Sequence, residues 1–193
     1  MKDGMTKKEL RKRFLAERDS LTDREYNILQ DLMLIGFQRL SLPPLQTVHS
    51  YLPMIDRREP NPFPILRWLS FRFPGLRTAA PRADFENSSM THWLIDDTTV
   101  FELNDRGIPE PSLSTRVEPD EIDLVVIPLL AFDEEGYRVG YGKGFYDRFL
   151  AECSPKCLRV GLSFFEAVEK IADTDTFDMA MDYCITPEQV YEF

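Results

Sequence analysis

Between Arg138 and Asp147 the chain reads RVGYGKGFYD: Gly140, Gly142 and Gly144 alternate with Tyr141 and Lys143, then come Phe145, Tyr146 and a carboxylate. Glycine inside regular structure costs roughly 0.5–1 kcal/mol relative to alanine, so such a cluster marks backbone that bends sharply or lets something come close. Placed past a strand and at a helix start, unpaired backbone N–H groups and the positive end of the helix dipole attract phosphate. Lys143 adds a mobile cation, Arg138 can grip two phosphate oxygens at once, and Asp147 can hold a magnesium ion bridging phosphates. These parts suit a nucleoside triphosphate. The spelling is not that of a P-loop, which needs a glycine where Tyr137 stands and a hydroxyl residue where Gly144 stands. The dinucleotide fingerprint, counted from Gly140, needs a glycine where Phe145 stands. A tight strand-to-helix turn without a ligand is the competing reading, since glycines also serve turns.

A second basic cluster, Lys7, Lys8, Arg11, Lys12 and Arg13, has as its ordinary meaning the solvated face of a helix. The formal net charge of −10 repels nucleic acid and anionic membranes at long range, so neither is expected as a partner. A small anion meeting local positive charge stays open. The 193 residues fit one domain spanning 1–193, able to bury roughly 70% of the extended-chain surface. The longest apolar run, Leu124 to Phe132, is of strand length and far short of a membrane span. The N-terminus is charged and has no apolar core of a secretory signal, which leads to the expectation of a cytoplasmic protein. Cys153, Cys157 and Cys184 are odd in number and lack metal-ligand spacing, as expected of reduced thiols.

Several elements must position these residues. Leu10, Phe14 and Leu15 repeat at helical spacing from Thr6 to about Arg18. Thr22-Asp-Arg-Glu25 has the capping-box form, and Tyr26, Leu29, Met33, Phe37 and Leu40 continue a second helix to Pro43-Pro44. Thr47 to Leu52 reads as a strand and Ile65 to Leu69 as part of a helix ended by Pro74-Gly75. Weak strands fall near Thr78 and at Met90 to Ile95. Ile122 to Leu130 is a continuous apolar strand of the kind covered on both faces of a parallel sheet. Helix from Phe145 to about Glu152, strand Leu158 to Ser163, helix Glu166 to Ala172 and strand Asp182 to Thr186 complete the pattern. Strands alternating with helices predict a single-domain α/β fold with an open, mostly parallel, Rossmann-like sheet, its ligand crevice past the carboxyl ends of the strands.

The segment Arg138–Arg148, with Ile127-Pro and Phe132-Asp133 before it, resembles the signature of the 5-formyltetrahydrofolate cyclo-ligases, also called methenyltetrahydrofolate synthetases. Lys7-Lys-Glu-Leu-Arg11, Ile108-Pro-Glu-Pro111 and Asp178-Met-Ala-Met-Asp182-Tyr-Cys-Ile-Thr186 resemble further segments of that family, in order along the chain. The resemblance implies ATP- and Mg-dependent conversion of 5-formyltetrahydrofolate into 5,10-methenyltetrahydrofolate, by phosphorylation of the formyl oxygen and ring closure by N10. Lys7 and Arg11 would reach ATP from the first helix, and Arg138, Val139, Gly140, Gly142, Lys143 and Gly144 would form its cradle. Lys143, Tyr146 and Arg138 would serve the chemistry, and Asp147 and Asp182 would hold magnesium. Tyr141, Phe145 and Tyr146 fall on the folate side, where Glu59 would bond the pterin ring beside Met54. A monomer is expected.

The chain departs from the family pattern at Pro60-Asn-Pro62, at Phe145, where a tyrosine is usual, and ahead of Ile108, where Arg106 or a neighbour replaces a tryptophan. His49 and His92 match nothing catalytic. A non-catalytic nucleotide- or folate-binding module and a phosphosugar-handling enzyme on a related sheet are the alternatives.

Overall fold

The computed structural model describes residues 4–112 and 114–193. Thr6 opens α1 (Lys7–Asp19) with a reciprocal cap: its hydroxyl accepts from Glu9 N, and the Glu9 carboxylate accepts from Thr6 N. Thr22 and Glu25 do the same for α2 (Asp23–Phe37), as their spacing predicts. The chain continues through β1 (Thr47–Ser50), α3 (Phe63–Arg72), β2 (Arg77–Asp84), β3 (Ser89–Ile95), β4 (Phe101–Leu103), β5 (Pro109–Pro111) and β6 (Arg116–Val117). It then forms β7 (Leu124–Pro128), β8 (Ala131–Phe132), β9 (Arg138–Val139), α4 (Phe145–Glu152), β10 (Leu158–Leu162), β11 (Tyr183–Ile185) and β12 (Val190–Glu192).

Eight strands form one sheet in the order β12-β11-β10-β7-β1-β2-β3-β6. The five from β11 to β2 are parallel, and β12, β3 and β6 add antiparallel margins. The α/β fold with a mostly parallel sheet is therefore as expected. Strand β7 shows why its sequence is continuously apolar. Leu124 and Val126 pack with Met33, Phe37, Ile65 and Leu69 of α2 and α3, while Val125 and Ile127 pack with Phe149 and Leu150 of α4. All four β7 side chains are fully buried, each contributing about 1.5–3 kcal/mol of apolar burial. On α1, Leu10 and Phe14 share a face and pack on Leu130, Ala131 and Val139. The helix is thereby clamped against the β8–β9 ribbon that leads into the glycine stretch.

Residues 166–172 are not helical, contrary to the sequence expectation. Val168 N donates to Phe132 O (2.8 Å), Ala172 N to Met5 O (2.9 Å) and Ile171 N to the buried Asp133 carboxylate (3.1 Å). Seven residues make a marginal helix in isolation, and tertiary backbone partners outcompete it. The weak strand signals near Thr78 and Met90 form a long antiparallel hairpin, β2–β3, whose register runs from Thr78↔Ile95 to Asp84↔Ser89. No helix among the described residues is long and apolar enough to cross a membrane.

His49 on β1 and His92 on β3 meet inside the sheet, His92 Nδ1 lying 3.1 Å from His49 Nε2, with Phe149 stacked 4.0 Å from His92. Burial, followed by the facing ring, pushes the His49 pKa well below its ordinary value, and burial takes His92 down to about 4. Both rings are neutral in the fold, whereas the unfolded chain protonates them near pH 6.5. The unfolded state therefore binds more protons below that pH, so stability is full above it and falls as pH drops from about 6.5 towards 4. We expect urea unfolding at pH 5 to show a loss of about 2 kcal/mol from His92 relative to pH 7, a slope that H92Q flattens. An equal acid slope in the variant would refute this assignment.

Candidate functional site

The carboxyl ends of β1, β2 and β7 open into a crevice of about 1090 Å³. One wall is cationic, formed by Lys7 and Arg11 of α1, Arg138 of β9 and Lys143 of the glycine stretch. The facing wall carries Tyr51, Met54 and Glu59, from the segment after β1. The site thus lies where an open parallel sheet places its ligands.

Local geometry explains the glycines. Gly142 has φ +89°, and a Cβ there would stand 3.0 Å from the Arg11 guanidinium, whose Nε donates to Gly140 O at 2.7 Å. Gly144, at φ +65°, caps α4 in the left-handed region and offers no side chain to the helix start. The first N–H groups of α4 therefore lack intrahelical partners, and open space lies above Gly140, where a Cβ would meet nothing within 4 Å. Exposed Lys143 forms no ion pair among the described residues. Free amides, an unpaired ammonium and an empty approach fit a phosphate chain. Val139 lines the same wall, but its side chain is buried against Leu10 and Phe14.

Arg138 is nearly inaccessible, its side chain 5% exposed, and burial lowers its pKa against the opposing pull of Asp147. It donates to Asp147 Oδ1 at 2.7 Å and to Met179 O, while Met179 N donates back to Asp147 Oδ1 at 3.1 Å. Among the described residues Asp147 Oδ2 takes no hydrogen bond. Beside it, Asp178 accepts both short contacts of the Lys7 ammonium, at 2.5 and 2.7 Å, and the N–H of Asp175 at 2.7 Å. Asp147 and Asp178 thus stand together in the crevice. Among the described residues no group of three or more His, Cys, Asp or Glu forms a ready-made metal cage. Two carboxylates suit magnesium that takes its remaining ligands from water and substrate phosphates.

Asp182 is not part of this arrangement. It precedes β11, at the amino ends of the parallel strands, and its carboxylate is taken by Arg159: Nη2 at 2.6 Å, Nε at 3.0 Å and backbone N at 2.7 Å. The stretch from Asp178 to Asp182 crosses from the crevice to the opposite end of the sheet, so only its first aspartate faces the site. Sequence alone presents two aspartates four residues apart with no sign of which one points inward.

The other wall brings together residues far apart in the chain. Tyr141 Oη donates to Glu59 Oε1 (2.7 Å) and accepts from Arg18 Nη2 (2.6 Å), while Glu59 Oε2 accepts from Met54 N (2.7 Å). Burial raises the Glu59 pKa against these bonds. Tyr146 presents a buried hydroxyl with no partner among the described residues, its pKa raised first by burial and then by Glu59. An orphan hydroxyl beside a crevice is a group ready for a ligand. Phe145 lies edge-on to Phe85 at 5.2 Å, and the Arg106 guanidinium covers Phe85 at 4.0 Å. Arg18, Phe85 and the strongly exposed Phe177 at the rim gave no signal in the sequence, since their spacing is that of ordinary surface and helix residues.

The chain as a whole is similar to proteins of one family. The model of the 5-formyltetrahydrofolate cyclo-ligase family matches residues 3–187. The 5-formyltetrahydrofolate cyclo-ligase of Mycoplasma pneumoniae is 27% identical over 188 residues, which cover 95% of this chain and 100% of the relative. That of Escherichia coli strain K12 is 38% identical over 95 residues, covering 47% of this chain and 52% of the relative. Among solved structures, the NMR structure of Aquifex aeolicus 5,10-methenyltetrahydrofolate synthetase has a TM-score of 0.78 at 29% identity, covering 97% of this chain and 93% of that one. A Mycoplasma pneumoniae 5,10-methenyltetrahydrofolate synthetase, at 23% identity and a TM-score of 0.71, shares the fold over 95% of this chain and 99% of its own.

Proposed function

The chain belongs to the 5-formyltetrahydrofolate cyclo-ligase family, and on that premise we propose that it converts 5-formyltetrahydrofolate into 5,10-methenyltetrahydrofolate using Mg-ATP. The observation that carries this reading is one crevice with two unlike walls: bare glycine amides with Arg11, Arg138 and Lys143 on one side, and a buried carboxylate with tyrosines on the other.

The formyl oxygen belongs to an amide-like group and is a poor leaving group. Transfer of the terminal phosphoryl group to that oxygen releases ADP and makes the formyl carbon electrophilic. Folate N10 then attacks the carbon, phosphate departs with the former formyl oxygen, and the N10 proton is lost. Magnesium, which Asp147 and Asp178 would hold, would offset the negative charge that develops on the phosphate oxygens. The chain's own residues position the reactants. The amides of residues 140–145 cradle the phosphates, and Lys143 reaches the transferring group. Arg11 braces the loop from beneath through Gly140 O. Lys7 turns from Asp178 to phosphate, freeing that carboxylate to join Asp147 as the ion's protein ligands. Glu59 accepts from the amino-pyrimidine edge of the pterin, and the Tyr146 hydroxyl finds its missing partner on the substrate. Catalysis of this kind rests on proximity and charge neutralisation, since no covalent enzyme intermediate is needed.

Incubation with 5-formyltetrahydrofolate and Mg-ATP is expected to produce the methenyl chromophore; no absorbance change beside a working positive control would remove the reading. K143A is expected to lower kcat about 10²-fold while melting is unchanged. D147N and D178N are expected to lose magnesium-dependent turnover. D182N instead keeps its kinetics and loses roughly 1 kcal/mol of stability, and the reverse pattern would return Asp182 to the metal site. G142A is expected to raise the KM for ATP more than it lowers kcat, because the added Cβ meets Arg11 at 3.0 Å and strains a positive φ.

A further inference from the structure

Arg18 lies at the carboxyl-terminal end of α1, outside the crevice, and is 2% exposed. A guanidinium stays charged under all ordinary conditions, and a buried charge without a counter-charge is strongly unfavourable. Among the described residues Arg18 makes no direct ion pair. Its Nη2 donates to Tyr141 Oη, that hydroxyl donates to Glu59 Oε1, and Arg18 Nε is buried without a partner. The positive charge of α1 and the negative charge of the Glu59 segment are therefore joined through one phenol carried by the glycine stretch. Glu59 is itself 3% exposed.

We propose that Arg18 is a positioning residue that acts through Tyr141 to hold Glu59 as a carboxylate, keeping it an acceptor for a ligand edge carrying two N–H donors. This rests on the reading of Glu59 as the pterin-binding carboxylate. A carboxylate has about four lone-pair sites; Tyr141 and Met54 N use two, leaving one on each oxygen for a bidentate donor edge. A protonated Glu59 would present a donor where an acceptor is required and would repel that edge. The groups around it make ionisation a close contest. Tyr26 bonds the Glu59 carbonyl from α2, and Tyr51 and Tyr146 stand near from the β1 end and α4. Arg57 and Arg18 supply the nearby positive charge. Burial works against the carboxylate. Arg57 sits in an exposed turn, so the desolvated charge of Arg18 is the stronger opposing influence. The same chain of bonds fixes the Tyr141 side chain, linking the folate wall to the loop that cradles phosphate.

The test is the pH dependence of the KM for 5-formyltetrahydrofolate, measured beside the KM for ATP and the melting temperature. In the unsubstituted protein the folate KM is expected to rise as pH falls, because Glu59 gains a proton. In R18Q that rise is expected to begin about one pH unit higher, with a folate KM raised on the order of tenfold at neutral pH and an unchanged KM for ATP. R18K is expected to fall between the two. Y141F leaves Arg18 in place but cuts the relay, and is expected to move the rise in the same direction. A folded R18Q whose folate KM follows the original pH curve would overturn the proposal. If R18Q does not fold, original curves in both R18K and Y141F would overturn it. E59Q separates the two levels of inference: a raised, pH-independent folate KM supports the role of Glu59, and an unmoved curve in the Arg18 variants then sinks the relay alone. An unchanged folate KM in E59Q sinks the pterin reading and the relay with it.

Discussion

The ion pair between Arg138 and Asp147, buried where β9, α4 and the 178–179 segment converge, is the joint on which the crevice depends. Arg138 spans Asp147 and Met179 O, and Asp147 takes Met179 N in return, so three chain segments are tied by two side chains. Such a pair is weak evidence of net stability, because desolvating two charges cancels much of their attraction. Removing one partner, however, leaves an uncompensated buried charge and costs about 3–5 kcal/mol. The pair fixes geometry more than it stabilises the fold. It sets the start of α4 against the segment that carries Asp178 and Met179, so that both Asp147 and Asp178 line the crevice.

The protein carries ten net negative charges, yet the wall that would receive a triphosphate is cationic. Two of these four cations are neutralised internally, Lys7 by Asp178 and Arg138 by Asp147. Arg11 instead rests on a backbone carbonyl, and Lys143 forms no ion pair among the described residues. This pairing keeps like charges from repelling one another across the crevice. On the far wall the buried Glu59 carboxylate is held among tyrosines, and Arg18 reaches it through the Tyr141 phenol.

Several features of the molecule were legible along the chain. The capping residues Thr22 and Glu25, the apolar run of β7 and the glycine spacing at 140–144 each reflect a local cause, namely a backbone donor to satisfy, two faces to bury or a positive φ to adopt. The segment 166–172 misled because its apolar spacing is compatible with a helix while its N–H groups find better partners on Phe132, Met5 and Asp133. The β2–β3 hairpin was faint because Pro81 and the polar residues around it are poor strand formers alone and are held by their register with a neighbour.

The sequence by itself determined the bare glycine stretch at a helix start, because glycine's lack of a Cβ and the orphan amides of a helix start are properties of neighbouring residues. It also determined the continuous apolar strand that builds the sheet. Only the tertiary structure decided which aspartate joins Asp147, since the chain between Asp178 and Asp182 passes from one end of the sheet to the other. The joining of Arg18, Tyr141 and Glu59 into one relay was likewise settled in three dimensions, because residues 41 to 123 positions apart meet only through the packing of α1 and the β1 segment around the loop.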